Sequence, residues 1–135
     1  MPRSGILAAA AALAFGLLAW TAPAAKFFHS PSGNIACGIS KQGARCDIRE
    51  RNWRPPPKPR QCDQDWGYGL TLGKQGKGRF FCAGDSLFGL GTRLAYGKSV
   101  ARGRFRCVSR TDGIRCVNRR NGHGFKLSRE RARRF

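Results

Sequence analysis

Acidic side chains are scarce in this chain. Only seven of its 135 residues are Asp or Glu, against 26 Lys and Arg, and the formal net charge is +19. The acidic residues are also scattered, so the sequence offers no pair of carboxylates for general acid–base catalysis. A charge of this size predicts attraction to anionic partners, although a basic composition that favours solubility accounts for it equally well.

Several motifs of catalysis and cofactor binding are also missing. The sequence contains no phosphate-binding P-loop, no H-E-x-x-H and no G-x-S-x-G frame. No C-x-x-C occurs, and neither of the two histidines stands at ligand spacing from a cysteine, so we expect no metal site. We likewise expect no cofactor.

His123 is the best candidate for an acid or base, because only histidine titrates near neutrality without perturbation. A second group such as Asp85 or Tyr96 would be needed, and the sequence places neither beside it. The glycines that flank His123 favour a simpler interpretation, a tight backbone path in which the histidine packs or forms hydrogen bonds. We therefore predict no catalytic residue beyond this weak candidate.

Long apolar runs are missing after residue 20. The one such run, Gly5 to Trp20, follows a short basic start and precedes the small residues Thr21 to Ala25. This order predicts a secretory signal peptide over residues 1–25, because a retained membrane anchor needs about twenty apolar residues. We expect an exported protein, secreted or held in the periplasm or cell envelope, with residues 26–135 as a single cysteine-rich domain.

Cysteine is present in an even number, six, and all six lie within residues 26–135. In an oxidising compartment this predicts three disulfides. Eight residues separate Cys37 from Cys46, and eight separate Cys107 from Cys116. An even spacing lets two cysteines face each other across a hairpin. The predicted disulfides are Cys37–Cys46, Cys107–Cys116 and the remaining pair, Cys62–Cys82.

Short strand patterns fill most of the domain. Alternating residues predict strands at 34–40, 43–49, 66–72, 77–83, 93–96, 103–109, 113–118 and 123–127. Eighteen glycines, mostly at turns, argue against helices except for a short C-terminal helix over residues 129–134, capped by Ser128. The predicted fold is an all-β, disulfide-stapled domain of antiparallel hairpins, either a two-sheet sandwich or a partly closed barrel.

Strand alternation also predicts the direction of six arginines. If the cysteine-bearing faces turn inward, these arginines point outward: Arg45 and Arg49 on the first hairpin, and Arg104, Arg106, Arg115 and Arg119 on the second. Guanidinium groups bind phosphate and carboxylate through a planar fork of donors. The six are candidate anion-binding residues. Alternatively, their stems cover sheet surface while their charged heads stay solvated.

The Pro-rich segment Arg54–Arg60 has two interpretations. It could dock in a Pro-binding groove of a partner, because its polyproline conformation is stiff and loses little entropy on binding. It could equally form a rigid crossover between two disulfide-anchored segments. We favour the crossover, since the segment lies between predicted anchors and next to Trp53.

An ordered set of motifs along the chain resembles a known family. It includes Ser30-Pro31-Ser32-Gly33-Asn34-Ile35-x-Cys37, Asp65-Trp66-Gly67, Leu94-x-Tyr96-Gly97 and Gly122-His123-Gly124-Phe125. The chain resembles, over nearly all of residues 26–135, a domain-of-unknown-function family of small exported cysteine-rich bacterial proteins. The resemblance implies an exported, disulfide-bonded, mostly β domain, and it brings no activity, cofactor or ligand with it.

These observations predict a non-enzymatic binding or envelope-associated module whose basic surface holds an anionic polymer or a membrane face. Non-specific nucleic-acid binding belongs to the same electrostatic class. Two other functions stay open: a small hydrolase that uses His123, and an inhibitor or partner-binding protein that uses the Pro-rich segment. No apolar run after the predicted signal peptide is long enough to cross a membrane, and the sequence leaves the oligomeric state open.

Overall fold

The computed structural model describes residues 25–135. The predicted signal peptide, apart from Ala25, lies outside these residues. The elements are β1 Lys26–His29, β2 Ile35–Ser40, β3 Gly43–Ile48, β4 Asp65–Leu72, β5 Arg79–Ala83, β6 Thr92–Arg93, β7 Ser99–Arg102, β8 Phe105–Arg110, β9 Gly113–Asn118, β10 Gly124–Leu127 and β11 Ala132–Arg134. Over this range the protein is all-β, and no helix here could span a membrane.

The strands form two sheets that pack against each other. One sheet has six strands in the order β5-β4-β3-β2-β1-β6, and the other has five in the order β11-β10-β9-β8-β7. All neighbours pair antiparallel except β1 and β6, which run parallel. Of the two architectures that the sequence leaves open, the structure has two facing sheets.

Two disulfides lie at the centre of the core. Cys37–Cys46 joins β2 to β3 and Cys107–Cys116 joins β8 to β9, in each case between directly opposite residues. All four cysteines are at most 1% exposed. The Sγ atom of Cys46 lies 3.9 Å from that of Cys116, so the disulfides of the two sheets are in contact.

The inner faces follow the alternation expected of half-buried strands. Along β8, Phe105 and Cys107 are fully buried, whereas Arg106 and Arg110 are exposed. On the next strands Ile114 and Phe125 are likewise fully buried. Because successive side chains of a strand point to opposite faces, the inward cysteines require the intervening positions to face outward.

The Pro-rich segment is a long loop that joins β3 to the adjacent antiparallel strand β4, and not the predicted crossover. The indole Nε1 of Trp66 donates a hydrogen bond to the carbonyl of Pro56 at 2.8 Å. Gly67 has φ of 75°, and a Cβ there would lie 2.3 Å from the Cβ of Pro55, so only glycine permits this approach. Trp53, just before the prolines, donates to the carbonyl of Ser128 at 2.9 Å. The protein's own aromatic side chains therefore hold the segment on the domain.

The prediction of a C-terminal helix over residues 129–134 is wrong. Ser128 closes a turn instead, in which its Oγ accepts a hydrogen bond from the backbone N–H of Arg131 at 3.0 Å. Ala132–Arg134 then pairs with β10 as an edge strand. A helix of six residues has too few internal hydrogen bonds to offset its nucleation, whereas an existing strand edge offers partners immediately.

Two short strands, β1 and β7, were not predicted from the sequence. Each has four residues, and β1 lies close to the predicted cleavage point. Both form by pairing with a stapled hairpin, β1 with β2 and β7 with β8. Their sequences alternate too briefly to indicate a strand without that neighbour.

We expect the buried disulfide Cys107–Cys116 to stabilise the protein more than Cys62–Cys82. The first closes a separation of 9 residues and the second one of 20, so loop entropy alone ranks them the other way. Replacing both buried cysteines by Ala should lower the free energy of unfolding by about 5 kcal/mol, because a core cavity adds to the lost cross-link. The same change at Cys62 and Cys82, where Cys82 is exposed, should cost about 3 kcal/mol.

Urea unfolding of the two oxidised double variants measures this difference. An equal loss, or a larger loss for Cys62→Ala/Cys82→Ala, would show that packing between the two central disulfides contributes nothing.

Candidate functional site

The strands of the five-stranded sheet carry charge of one sign only. They contain no Asp or Glu and seven cations, namely Arg102, Arg106, Arg110, Arg115, Lys126, Arg133 and Arg134. The strands of the six-stranded sheet contain four cations and two acidic residues. Among the strand residues, positive charge is therefore concentrated on the five-stranded sheet.

Three of these cations form a row across adjacent strands, which we call the basic row. Arg115 on β9 lies directly opposite Lys126 on β10, and Lys126 lies opposite Arg133 on β11. Directly opposite residues have Cβ atoms about 5 Å apart, and like charges at that spacing repel. The basic row faces away from the core, because its sequence neighbours Ile114 and Phe125 are fully buried.

The C-terminal residue lies among these cations. The Phe135 ring centroid is 4.7 Å from Cζ of Arg115 and 5.8 Å from Cζ of Arg133. It packs over Gly124, where a Cβ would come within 3.0 Å of the ring and 2.2 Å of a backbone oxygen. The negative face of an aromatic ring attracts a cation, so Phe135 partly relieves the repulsion between the two arginines.

Lys126, the middle member of the row, has a carboxylate partner. Its Nζ contacts Oδ2 of Asp112, which lies in the turn between β8 and β9. The hydrogen bond from Lys126 is the main cause that lowers the pKa of Asp112. Among the described residues, neither Arg115 nor Arg133 has such a partner.

The other candidate arginines of this sheet are spread along it. Arg106 lies on the same outer face as Arg115, and its Nη2 donates to Oγ of Ser99 at 3.2 Å. Arg119 and Arg104 lie at the far end of the hairpin, where Arg119 donates to the carbonyl of Gly103 at 2.8 Å. Arg106 and Arg119 are exposed and Arg104 is half-buried.

Arg45 is engaged inside the protein. Its Nε and Nη2 donate to the two carboxylate oxygens of Asp47 at 2.9 and 3.1 Å, and its Nη1 donates to Oδ1 of Asp85 at 3.1 Å. Asp47 is fully buried and also accepts a hydrogen bond from the backbone N–H of Leu87 at 2.9 Å. Desolvation acts to lower the pKa of Arg45, but Asp47 and Asp85 outweigh it and raise that pKa. Arg45 therefore fastens the loop after β5 to the outer face of β3.

The groups proposed around His123 do not come together. The His123 backbone N–H donates to Oδ1 of Asn121 at 3.0 Å, and no described residue forms a hydrogen bond with its ring. Asp85 is bound to Arg45, and Tyr96 lies exposed at a cleft elsewhere. Neither forms a hydrogen bond with His123.

That cleft was missed by sequence reasoning. It has a volume of about 670 Å³ and opens at one end of the sandwich. Four segments line it: the turn 30–34, residues 49–50, the β8–β9 turn and the loop 128–130, with Tyr96 at the side. The Ser30–Ile35 and Leu94–Gly97 motifs were the available signal, but nothing in the sequence brings them together.

Fold and charge define a class of protein: a two-sheet β domain with three disulfides and one strongly basic sheet. The chain belongs to the family of unknown function DUF6636, whose model matches residues 6–135. This match confirms the resemblance to a domain-of-unknown-function family. No curated protein and no solved structure matches the chain.

Removing the Arg45 side chain should destabilise the protein by about 3 kcal/mol, because the buried carboxylate of Asp47 would lose its charged partner. Arg45→Ala is compared with Arg49→Ala, which removes an exposed arginine just after the same strand together with its contact to the Phe88 ring and should cost less than about 1 kcal/mol. Chemical denaturation measures both. Equal effects would contradict a structural role for Arg45.

Lys126→Gln should raise the pKa of Asp112 toward its ordinary value. Because the pKa of Asp112 is lowered in the folded protein, its ion pair stabilises the fold above the unfolded-state pKa and is lost as the pH falls through the folded-state pKa. Titration of the Asp112 carboxyl by NMR tests this, with Lys98→Gln as the control on an exposed lysine of the same domain. An unchanged Asp112 pKa in Lys126→Gln would rule out the ion pair in solution.

Proposed function

We propose that residues 26–135 form an exported, non-enzymatic module that binds an anionic polymer on the outer face of the five-stranded sheet. The observation that carries this proposal is the basic row, in which Arg115, Lys126 and Arg133 are directly paired across three strands. No Asp or Glu occurs on any strand of that sheet.

An anionic group above the basic row would reduce its internal repulsion and accept charge-assisted hydrogen bonds. Adjacent strands are about 4.8 Å apart, so Arg115 and Arg133 lie about 10 Å apart on either side of Lys126, which is paired with Asp112. A polymer with repeated anionic groups can occupy several of these positions at once, and each later contact then forms at high effective concentration. A single small anion lacks this advantage.

A polymer fits this face better than a membrane does. A protein that rests on a membrane normally buries apolar side chains in the lipid interface. The large hydrophobic residues that stand exposed in the described part of the chain are Leu90 and Tyr96, and neither belongs to the strands of this sheet.

The same face favours recognition through charge rather than through bases. Proteins that bind single-stranded nucleic acid stack bases on open aromatic rings. The Phe135 ring beside the basic row is already in contact with Arg115 and Arg133. Nucleic acid would accordingly bind through its phosphates and without sequence preference.

Export is supported by two independent features. The apolar segment at residues 5–20 has the order of a signal peptide, and three disulfides with no free cysteine in residues 25–135 suit an oxidising compartment. Outside the predicted signal peptide the chain holds 25 Lys and Arg against seven Asp and Glu, a formal charge of +18. A polyanion of the cell envelope would meet this charge directly.

The two alternative functions gain no comparable support. A hydrolase would require a second group beside His123, and the described contacts provide none. In the Pro-rich segment Pro56, Pro57 and Lys58 are exposed, but the Trp66 hydrogen bond to Pro56 and the close approach of Gly67 to Pro55 are contacts of a fixed loop and indicate no partner.

We expect the double variant Arg115→Gln/Arg133→Gln to elute from a heparin column at a lower salt concentration than the control double variant Arg79→Gln/Arg93→Gln. Both variants lose two positive charges from exposed strand positions, but the control pair lies in the six-stranded sheet. With duplex DNA as a second polyanion, the first variant should reduce the slope of log K against log salt by about two, and the control should leave it unchanged.

Equal effects of the two variants would mean that only total charge matters, and the proposal would fail. If a basic-row variant loses binding to anionic lipid vesicles while its heparin affinity is unchanged, the ligand of this face is a membrane and not a polymer.

A further inference from the structure

The cleft at the end of the sandwich, which we call the end cleft, continues the basic face. Arg110 is the last residue of β8, on the same outer face as Arg106, and its side chain also lines the end cleft. Asp112 lines the cleft as well and contacts Lys126 of the basic row. A polymer on the sheet therefore meets the cleft where the hairpin turns.

One wall of the end cleft is the turn Ser30–Asn34. The buried backbone N–H of Ile35 donates to Oγ of Ser30 at 3.0 Å, and Oγ of Ser32 accepts from the N–H of Asn34 at 3.2 Å. Asn34 and Glu50 exchange two hydrogen bonds, at 2.8 and 3.0 Å, between the Asn34 amide and the Glu50 backbone. This wall is thus fixed to the end of β3 before any ligand arrives.

A second wall, formed by residues 128–130, is fixed in the same way. Arg129 donates to a carboxylate oxygen of Glu50 at 2.6 Å, and its carbonyl accepts from the N–H of Asn52 at 2.8 Å. The neighbouring carbonyl of Ser128 accepts from the indole of Trp53. A preorganised cleft loses little conformational entropy when it binds.

Four side chains at the end cleft keep their polar groups available. Among the described residues, Arg49, Arg110, Tyr96 and Glu130 form no side-chain hydrogen bond or ion pair within the protein. The Tyr96 residue is 50% exposed. Arg49 lies over the Phe88 ring, 4.1 Å from its centroid, which orients the guanidinium while its donors stay free.

This combination points to a specific ligand chemistry. The exposed Tyr96 ring offers an apolar face, Arg49 and Arg110 offer forks for a carboxylate, and Glu130 with the hydroxyls of Ser32 and Thr111 can bind hydroxyl groups. Of the carboxylates at the cleft, Glu50 and Asp112 are paired with Arg129 and Lys126, whereas Glu130 has no ion-pair partner among the described residues and would repel a dense phosphate chain. A ring that carries both hydroxyl groups and a carboxylate matches all of these features.

We propose that the end cleft binds a carboxylated sugar unit, and that the anionic polymer is accordingly an acidic polysaccharide. This inference rests on the proposed function, because the rest of the polymer would lie on the basic row. The volume of about 670 Å³ lies in the range of natural ligand sites.

The test uses residues 26–135 of the oxidised protein with two probes, trigalacturonate and polyphosphate, and determines dissociation constants by calorimetry. Arg49→Ala should weaken trigalacturonate binding about tenfold, the loss expected for a hydrogen-bonded charged group. Tyr96→Ala should weaken it about fivefold through the lost ring contact. Neither variant should change polyphosphate binding by more than about twofold, the size of a distant surface-charge effect.

Arg120→Ala is the matched control, since it removes an exposed arginine at the opposite end of the β8–β9 hairpin. If Arg120→Ala weakens trigalacturonate binding as much as Arg49→Ala does, or if uncharged galactotriose binds as tightly as trigalacturonate, the inference is overturned. Loss of polyphosphate binding in Arg115→Gln/Arg133→Gln supports the proposed function separately. Trigalacturonate binding thus tests the end cleft, and polyphosphate binding tests the basic row, so one proposal can fail while the other holds.

Discussion

The contact between two disulfides at the centre of the sandwich governs the rest of this structure. Cys37–Cys46 and Cys107–Cys116 each staple a hairpin of a different sheet, and Cys46 and Cys116 bring their sulfur atoms to 3.9 Å. Because the cysteines must face one another, the inward face of both hairpins is determined. Strand alternation then dictates which residues remain on the outside.

The arginines on the outside follow from that constraint, and so does their repulsion. Arg115 lies between the buried Ile114 and Cys116, so it must point away from the core, toward the same side as Lys126 and Arg133. A small domain with a formal charge of +18 opposes its own compaction. The disulfides lower the entropy of the unfolded chain, and this raises the free energy of unfolding and offsets the repulsion. Noncovalent packing alone would stabilise a domain with such a basic face less well. The disulfides of the scaffold thus help to keep the basic face, the candidate binding surface, in a folded domain.

The sequence predicts well the strands in which inward and outward side chains alternate with a period of two residues. The even cysteine spacing and the alternating residues of β2, β3, β8 and β9 indicate the hairpins and their inward faces. Segments whose structure depends on a distant neighbour were missed or mistaken: β11 pairs with β10 instead of forming a helix, and β7 forms against β8. For the candidate site, alternation predicts that Arg45 faces outward, but it cannot show that Asp85, forty residues away, binds its guanidinium. The end cleft joins four segments far apart in sequence, so no local pattern indicates it.

We propose that the outer face of the five-stranded sheet, and not the net charge as a whole, receives the polymer. Mapping of backbone amide signals by NMR during titration with a heparin oligosaccharide tests it most directly. The largest chemical-shift changes should fall on Arg115, Lys126, Arg133 and their neighbours on β9, β10 and β11. Changes spread evenly over both sheets, or concentrated on β1 to β6, would contradict it.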